Sequence, residues 1–372
     1  MTKVFSVQEF QSNHQDVVCD KLPFQEIDYL VHLTNSNPEI EHFVCAVYDG
    51  NNLVARAYLQ RMPFSGKRLD TFRPSGWLSQ KVYDLVVRPI QWKVLSLGSI
   101  FTTGDNGLVF SNELDQETKE AVYRDLLSQL QNGFIPYDGL LIKDIYTEED
   151  SWMVECLRDL GFFMTPSEPD MVLEDVSRFS TVEDYAAAFR AKYRTKFNQV
   201  TERSKALQVE DYDNWHSAPT EAMYPLYVNI MSAVDFYIQL MSPRYFQMDR
   251  GVSSSLPKLR TYSVDNEVIA WISWFEDANR IHAHLIGLNH KKAGRHRAYH
   301  RILYDLAALG IERKKERVCY GRTSQEAKSN VGAQPNAMAS AVYHRRKSMR
   351  YLMKSFTQSV DLKTSNPRQA FR

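Results

Sequence analysis

Five of the chain's ten histidines fall between positions 282 and 300, and Lys, Arg and Tyr residues crowd around them. His282 and His284 are two apart in a strand-like run, which puts both imidazoles on one face. An imidazole titrates near neutral pH, so either is a candidate general base for taking a proton from an amine. Tyr320 offers a phenolic donor, and Lys328 and Arg322 nearby are cationic side chains. Lys291, Lys292, Arg295 and Arg297 crowd the stretch 289–297, where their charge suits a phosphate-bearing ligand. His296 and His300 have the i, i+4 spacing of a helical zinc pair. However, the segment reads HRAYH without the glutamate of HEXXH, and Arg295, Arg297 and Arg301 oppose a cation. No metal is expected there.

Other chemistries leave no trace. The chain has no GxSxG elbow, no GxxxxGK[ST] loop and no GxGxxG after a strand. Its four cysteines are scattered, and Cys319 reads as buried filler. The first residues lack a signal-like apolar core, and no run of 18 apolar residues occurs, which points to a cytoplasmic protein. The net charge of zero conceals an asymmetry: residues 1–180 hold 15 basic and 27 acidic side chains, and residues 181–372 hold the other 30 and 18. That leaves −12 in the first part and +12 in the second, which suits an anionic ligand or the inner face of a membrane. Residues 344–354 hold five Lys and Arg, yet no RNA-binding signature accompanies them.

The elements that must position these groups recur in one order. His42–Tyr48 and Leu53–Arg61 flank Asp49-Gly50-Asn51-Asn52, a hairpin cue. A strand over Val94–Phe101, a helix over Asp115–Leu130, a strand over Gly139–Ile145 and a helix over Glu148–Leu160 follow. In the second part Leu259–Val264 and Val268–Phe275 flank another turn, and Arg280–Leu288 is a third strand. A helix over Arg297–Leu309 stopped by Gly310, a strand over Arg317–Tyr320 and a helix from Thr323 to Val331 complete it. Thr181–Leu207 reads as a basic connecting helix with a Thr181/Asp184 capping box. Tyr224–Met248 is rich in Tyr, Met and Phe, which can line an apolar groove. Asp235 and Tyr237 lie inside it as partners for an acceptor amine, and Arg244-Tyr245-Phe246 closes it. The polar tail from Thr357 is expected to fray.

The stretch CYGRTSQEAKSNVGA, a strand followed by Gly-Arg-Thr and a Lys-bearing helix, resembles the C-terminal domain of FemAB-like members of the GNAT acyltransferases. The helix YHRILYDLAALG before it, and Asp184-Tyr185 with Lys192-Tyr193-Arg194, are similar too. The resemblance implies an α/β (α+β) fold of two GNAT-like domains, each a mixed and mostly antiparallel sheet flanked by helices. The domains would be 1–180 and 181–356, with 357–372 as tail. It also implies an N-acyltransferase with no permanently bound cofactor. Acyl-CoA or an acyl-carrier protein would donate, and a primary amine, such as a long-chain sphingoid-type base, would accept. Lys328 matches the family's lysine, and Tyr193 and Arg194 fall on the helix opening the second domain, beside the acceptor. Where GNAT enzymes carry a Gly-rich pyrophosphate loop, 289–297 has one Gly among its Lys and Arg, so side chains would replace backbone amides. The alternatives are an aminoacyl-tRNA-dependent transfer to a cell-wall peptide precursor, and a non-catalytic anion- or carrier-binding module.

Overall fold

Two tight turns, Asp49-Gly50 and Asp265-Asn266, each set an antiparallel hairpin. Gly50, Asp265 and Asn266 all have φ between 52° and 62°, the twist that joins right-handed strands. The computed structural model describes every residue except 18, 20, 73–75, 77–79, 82, 105, 214, 216, 235–236, 248–255 and 351–366. Its thirteen described strands are β1 Thr2–Ser6, β2 Glu41–Asp49, β3 Asn52–Ser65, β4 Gln91–Leu97, β5 Leu108–Phe110, β6 Gly139–Tyr146, β7 Phe163–Leu173, β8 Gln208–Tyr212, β9 Lys258–Val264, β10 Glu267–Glu276, β11 Arg280–Leu288, β12 Arg317–Cys319 and β13 Gln334–His344.

Two units emerge: Met1–Ser167 with Asp235–Met241 and Ala337–Leu362, and Glu168–Val234 with Ser242–Asn336 and Lys363–Arg372. This differs from a division at 180/181. The chain trades its last strands: β13 pairs with β6 in the first unit, while Val172 and Leu173 of β7 pair with β12 in the second. A strand joins the sheet that offers it a ladder, whatever its place in the sequence.

In the first unit β1, β2, β3 and β4 run antiparallel, with β5 also on β3. β4 then pairs parallel to β6, Val94 opposite Gly139 through Leu97 opposite Ile142. The crossover between them contains the helix Gln116–Gln131. Asp115 caps it by accepting from Thr118 N at 2.8 Å, and Tyr123, Leu126, Leu127 and Leu130 pack on Leu95, Leu97, Leu140 and Ile142.

The second unit repeats the plan. β8 to β11 run antiparallel, and β11 pairs parallel to β12 over Arg280–His282. Its crossover helix, Ala298–Glu312, buries Ile302, Leu303, Leu306 and Leu309 against Ile272, Trp274, Ile281 and Val318. Each such side chain contributes about 1.5–3 kcal/mol of transfer free energy. Gly310, expected to stop this helix, lies inside it, because a Cβ there would come within 2.7 Å of Val318. The connecting segment is two helices, Val182–Ala188 and Ala191–Arg203, broken at Phe189-Arg190. The Thr181/Asp184 capping box is present, with both bonds at 3.1 Å.

The end of the chain does not fray. Residues 357–366 lie outside the described ones, but Arg190 N donates to Ala370 O at 2.9 Å and Arg372 N to Ala188 O at 3.1 Å. Phe371 stacks on Phe189 with ring centroids 5.1 Å apart, and Gly332, at φ 93°, gives it room. Replacing this ring should therefore cost stability. Phe371→Ala is expected to lower the unfolding free energy by about 2–4 kcal/mol. Equilibrium urea unfolding followed by tryptophan fluorescence checks this, and an unchanged midpoint would show that the ring is not part of the core.

Candidate active site

After β12 the chain makes a left-handed loop before the short helix Gln325–Ser329. Gly321, Thr323 and Ser324 have φ of 76°, 64° and 48°. Residues other than Gly in this region cost on the order of 1–3 kcal/mol each, so the surroundings must hold them. Lys328 does much of this. It is 5% exposed, and its Nζ donates to Gly321 O at 2.9 Å and to Arg322 O. Asp170, also buried, accepts from Gly321 N at 2.9 Å. Burial pushes the Lys328 ammonium down to about 8, with Asp170 and Glu168 pulling the other way.

Beside this loop is an open depression of about 500 Å³, lined by Glu168, Lys196, His300, Ser324, Gln325, Glu326, Ala327 and Asn330. Lys196 comes from the Ala191–Arg203 helix and His300 from the first turn of the Ala298–Glu312 helix. Burial, reinforced by the Arg297 and Lys196 charges, lowers the His300 imidazole below its ordinary 6.5. Burial also lowers Lys196, with Arg368, Lys192 and Arg297 adding to the shift against Glu326. Arg368 reaches Glu326 at 2.5 Å, so the pinned C-terminus helps to build one rim. Asn330 is 2% exposed, and its Oδ1 has no hydrogen-bond partner. The depression therefore gathers an imidazole of lowered pKa, a lysine, a serine hydroxyl and two carboxylates, groups that can exchange protons and offset developing charge.

None of the residues singled out from sequence for catalysis or substrate binding lines it. Lys328 and Arg322 build the loop beside it, and Arg297, at the N-terminus of the Ala298–Glu312 helix with φ 54°, acts on it through charge. Lys328 is a positioning residue: it is 5% exposed, and two of its three ammonium protons go to loop carbonyls. Tyr320 is a core residue: its buried hydroxyl donates to Leu303 O at 3.0 Å. His282 is buried, with Nε2 2.9 Å from Asp277 Oδ2. Burial opposes ionisation of Asp277, but bonds from His282 and from the Asn279 and Arg280 amides outweigh it and hold that carboxyl below its ordinary value. His284 Nε2 lies 3.1 Å from Tyr245 OH.

That tyrosine belongs to a packed aromatic layer with Trp215, Tyr224, Tyr227, Phe246 and Trp271, not to an open groove. Arg244 is exposed at its edge. Tyr237 belongs to the first unit, where the Arg68 guanidinium lies 5.9 Å from its ring; Asp235 lies outside the described residues. Lys291, Lys292 and Arg295 are exposed on the helix His290–Arg295, Lys292 bonded to Glu267. Tyr193 is buried and Arg194 half-buried, on the helix that carries Lys196. His300 had been weighed only as a zinc ligand, and Glu168, Ser324 and Asn330 gave no signal. Among the described residues no group of three or more His, Cys, Asp or Glu is placed to hold a metal ion. Nor is any described helix long and apolar enough to cross a membrane.

Two solved structures show where this fold has been seen. FemX matches with a TM-score of 0.56 at 10% identity, covering 95% of this chain and 100% of that one. The C-terminal domain of a protein described as a lysylphosphatidylglycerol synthetase from Agrobacterium fabrum matches with a TM-score of 0.52 at 11% identity, covering 94% and 96%. No family model matches the sequence, and no curated protein does. The chain has the fold of FemX and of that synthetase domain.

The loop and Lys328 give a signed expectation. Lys328 releases its proton at about 8 in the folded chain but near its ordinary 10.5 when unfolded. Between those values the unfolded state binds the extra proton, so stability rises with pH. Unfolding midpoints at pH 7, 8.5 and 10 should show the wild type gaining on Lys328→Met; a constant difference would contradict the shift.

Proposed function

We propose that this chain is an N-acyltransferase whose reaction takes place in the depression of the second unit. The observation that carries the reading is the half-buried His300, its imidazole lowered below its ordinary value, lining one depression with Ser324, Gln325 and Lys196. An alkylammonium must shed its proton before it can attack a carbonyl carbon, and an imidazole of lowered pKa is unprotonated at pH 7 and free to take it. As the new N–C bond forms, charge builds on the carbonyl oxygen, where Lys196 or the Ser324 hydroxyl can offset it. Collapse of the tetrahedral species breaks the bond to the leaving thiolate or alkoxide; of the two protons that nitrogen sheds between ammonium and amide, one passes through His300 to the leaving group and the other is released to solvent.

A thioester is the donor class, either acyl-CoA or an acyl-carrier protein bound as co-substrate rather than held permanently. Lys196, Arg297 and Arg368 form the basic rim that suits its phosphates. The acceptor is a primary amine. The aromatic layer around Tyr245 fills its own space, which leaves a long-chain acceptor without the groove expected for it among the described residues. A second reading, an aminoacyl ester donor, is favoured by the fold shared with a protein named for joining lysine to a phospholipid.

The test is turnover of labelled acyl-CoA, acyl-carrier protein and aminoacyl-tRNA with a panel of amines. Amide product is expected, and its absence with every donor would remove the enzyme reading. For the active pair, kcat should fall on the acid side as His300 protonates below pH 6.5. His300→Gln should slow transfer by about 100-fold or more and abolish that acid limb. A variant that keeps both rate and limb would exclude His300 as the base.

A further inference from the structure

We infer that Arg368, carried on the returning C-terminus, is a specificity-determining residue: by holding Glu326 it keeps the depression open to an anionic group. The inference deepens the acyl-transfer reading, on which its role rests, by naming the class of ligand that the depression admits. Glu168, Glu326 and Lys196 are the charged side chains among those lining it. Left to themselves, two carboxylates against one ammonium would turn an anion away. Each carboxylate, however, has a cation of its own. The Glu168 charge acts on the buried Lys328 ammonium, and Glu326 Oε1 accepts from Arg368 Nη2 at 2.5 Å. Lys196 is left over: among the described residues its ammonium has no hydrogen bond or ion pair, and the charges of Arg368, Glu326, Lys192 and Arg297 all reach it.

The tail holds Arg368 in place by contacts that do not depend on the ion pair. Gln334 Nε2 donates to Arg368 O at 3.3 Å, Arg190 Nη2 to Gln369 Oε1 at 3.3 Å and Arg190 Nε to Phe371 O at 2.8 Å. Ala370 is 1% exposed, and the Phe371 ring lies 5.7, 5.8 and 5.1 Å from those of Phe179, Tyr185 and Phe189. An ion pair that reaches solvent, as this one does, contributes little to stability. Its consequence is the field it sets. A phosphate near Lys196 is repelled by a bare Glu326 and is not repelled by a paired one. Arg368 therefore acts on the ligand through Glu326, and the end of the chain decides the sign of charge that the depression accepts.

The probe is inorganic pyrophosphate, which carries phosphate charge without an acyl group or an amine, titrated into the full chain at low ionic strength and followed by calorimetry. The wild type is expected to bind it, and Lys196→Gln to weaken binding about tenfold or more, which places the anion in the depression. Arg368→Gln should also weaken it about tenfold, while Arg368→Lys should bind as the wild type does. The double variant Glu326→Gln/Arg368→Gln should recover to within about threefold of the wild type, because the charge that Arg368 cancels is gone. Glu326 and Arg368 both reach solvent, so these variants are expected to fold, and circular dichroism checks it. No binding by the wild type, or binding that ignores Lys196→Gln or Arg368→Gln, would overturn the inference. So would a double variant as weak as Arg368→Gln, which would make Arg368 a direct contact to the ligand. None of these results needs turnover. A chain that binds pyrophosphate in the expected pattern yet transfers nothing refutes the enzyme reading alone. One that transfers, with pyrophosphate binding and donor KM untouched by Arg368→Gln, refutes this inference alone.

Discussion

The buried ammonium of Lys328 is the contact on which the second unit's chemistry depends. A lysine side chain is costly to bury, and it is held by two carbonyls of a left-handed loop, Arg322 O and Gly321 O, the latter also accepting from Met171 N at 3.2 Å. The exchange holds Thr323 and Ser324 in a backbone region that side chains avoid, and this sets the start of the helix that carries Glu326 and Ala327 into the depression. Lys328 thus shapes the site without reaching into it.

Around that loop, each wall of the depression comes from a different part of the chain. Glu168 lies on β7, Lys196 on the basic helix after it, His300 on the crossover helix, and Asn330 just past the short helix. The C-terminal residues then return to pair with Phe189 and place Arg368 on the rim. Packing and chemistry are joined here, because Phe371 packs on the core three residues from Arg368, the charge that tunes Lys196. The positive half of the sequence is positive where this rim is built.

The local elements were legible because their signals are local. Alternation around a Gly or Asn turn gives a hairpin, and a side-chain cap with a 3.6-residue stripe gives a helix. Gly310 misled because close packing on Val318, not helix termination, explains it. The exchange of β7 and β13 was hidden, since pairing between strands far apart in sequence leaves no local pattern; β7 even carries Pro166 and Pro169.

The site fared similarly. Lys328 and Arg322 were found by resemblance, and they frame the loop. The groups lining the depression come from four separate stretches, and burial, which the sequence does not display, gives them their character. His282 and His284 were attractive by type and spacing, but Asp277 and Tyr245 occupy them.

The central claim is that donor and amine meet beside the Gly321–Ser324 loop. Hydrogen–deuterium exchange of the full chain, with and without a saturating coenzyme A thioester, tests it most directly. The account predicts slowed exchange in 321–331 and in the Ala191–Arg203 helix. Protection confined to 224–247 or to 280–288, with 321–331 unchanged, would contradict it.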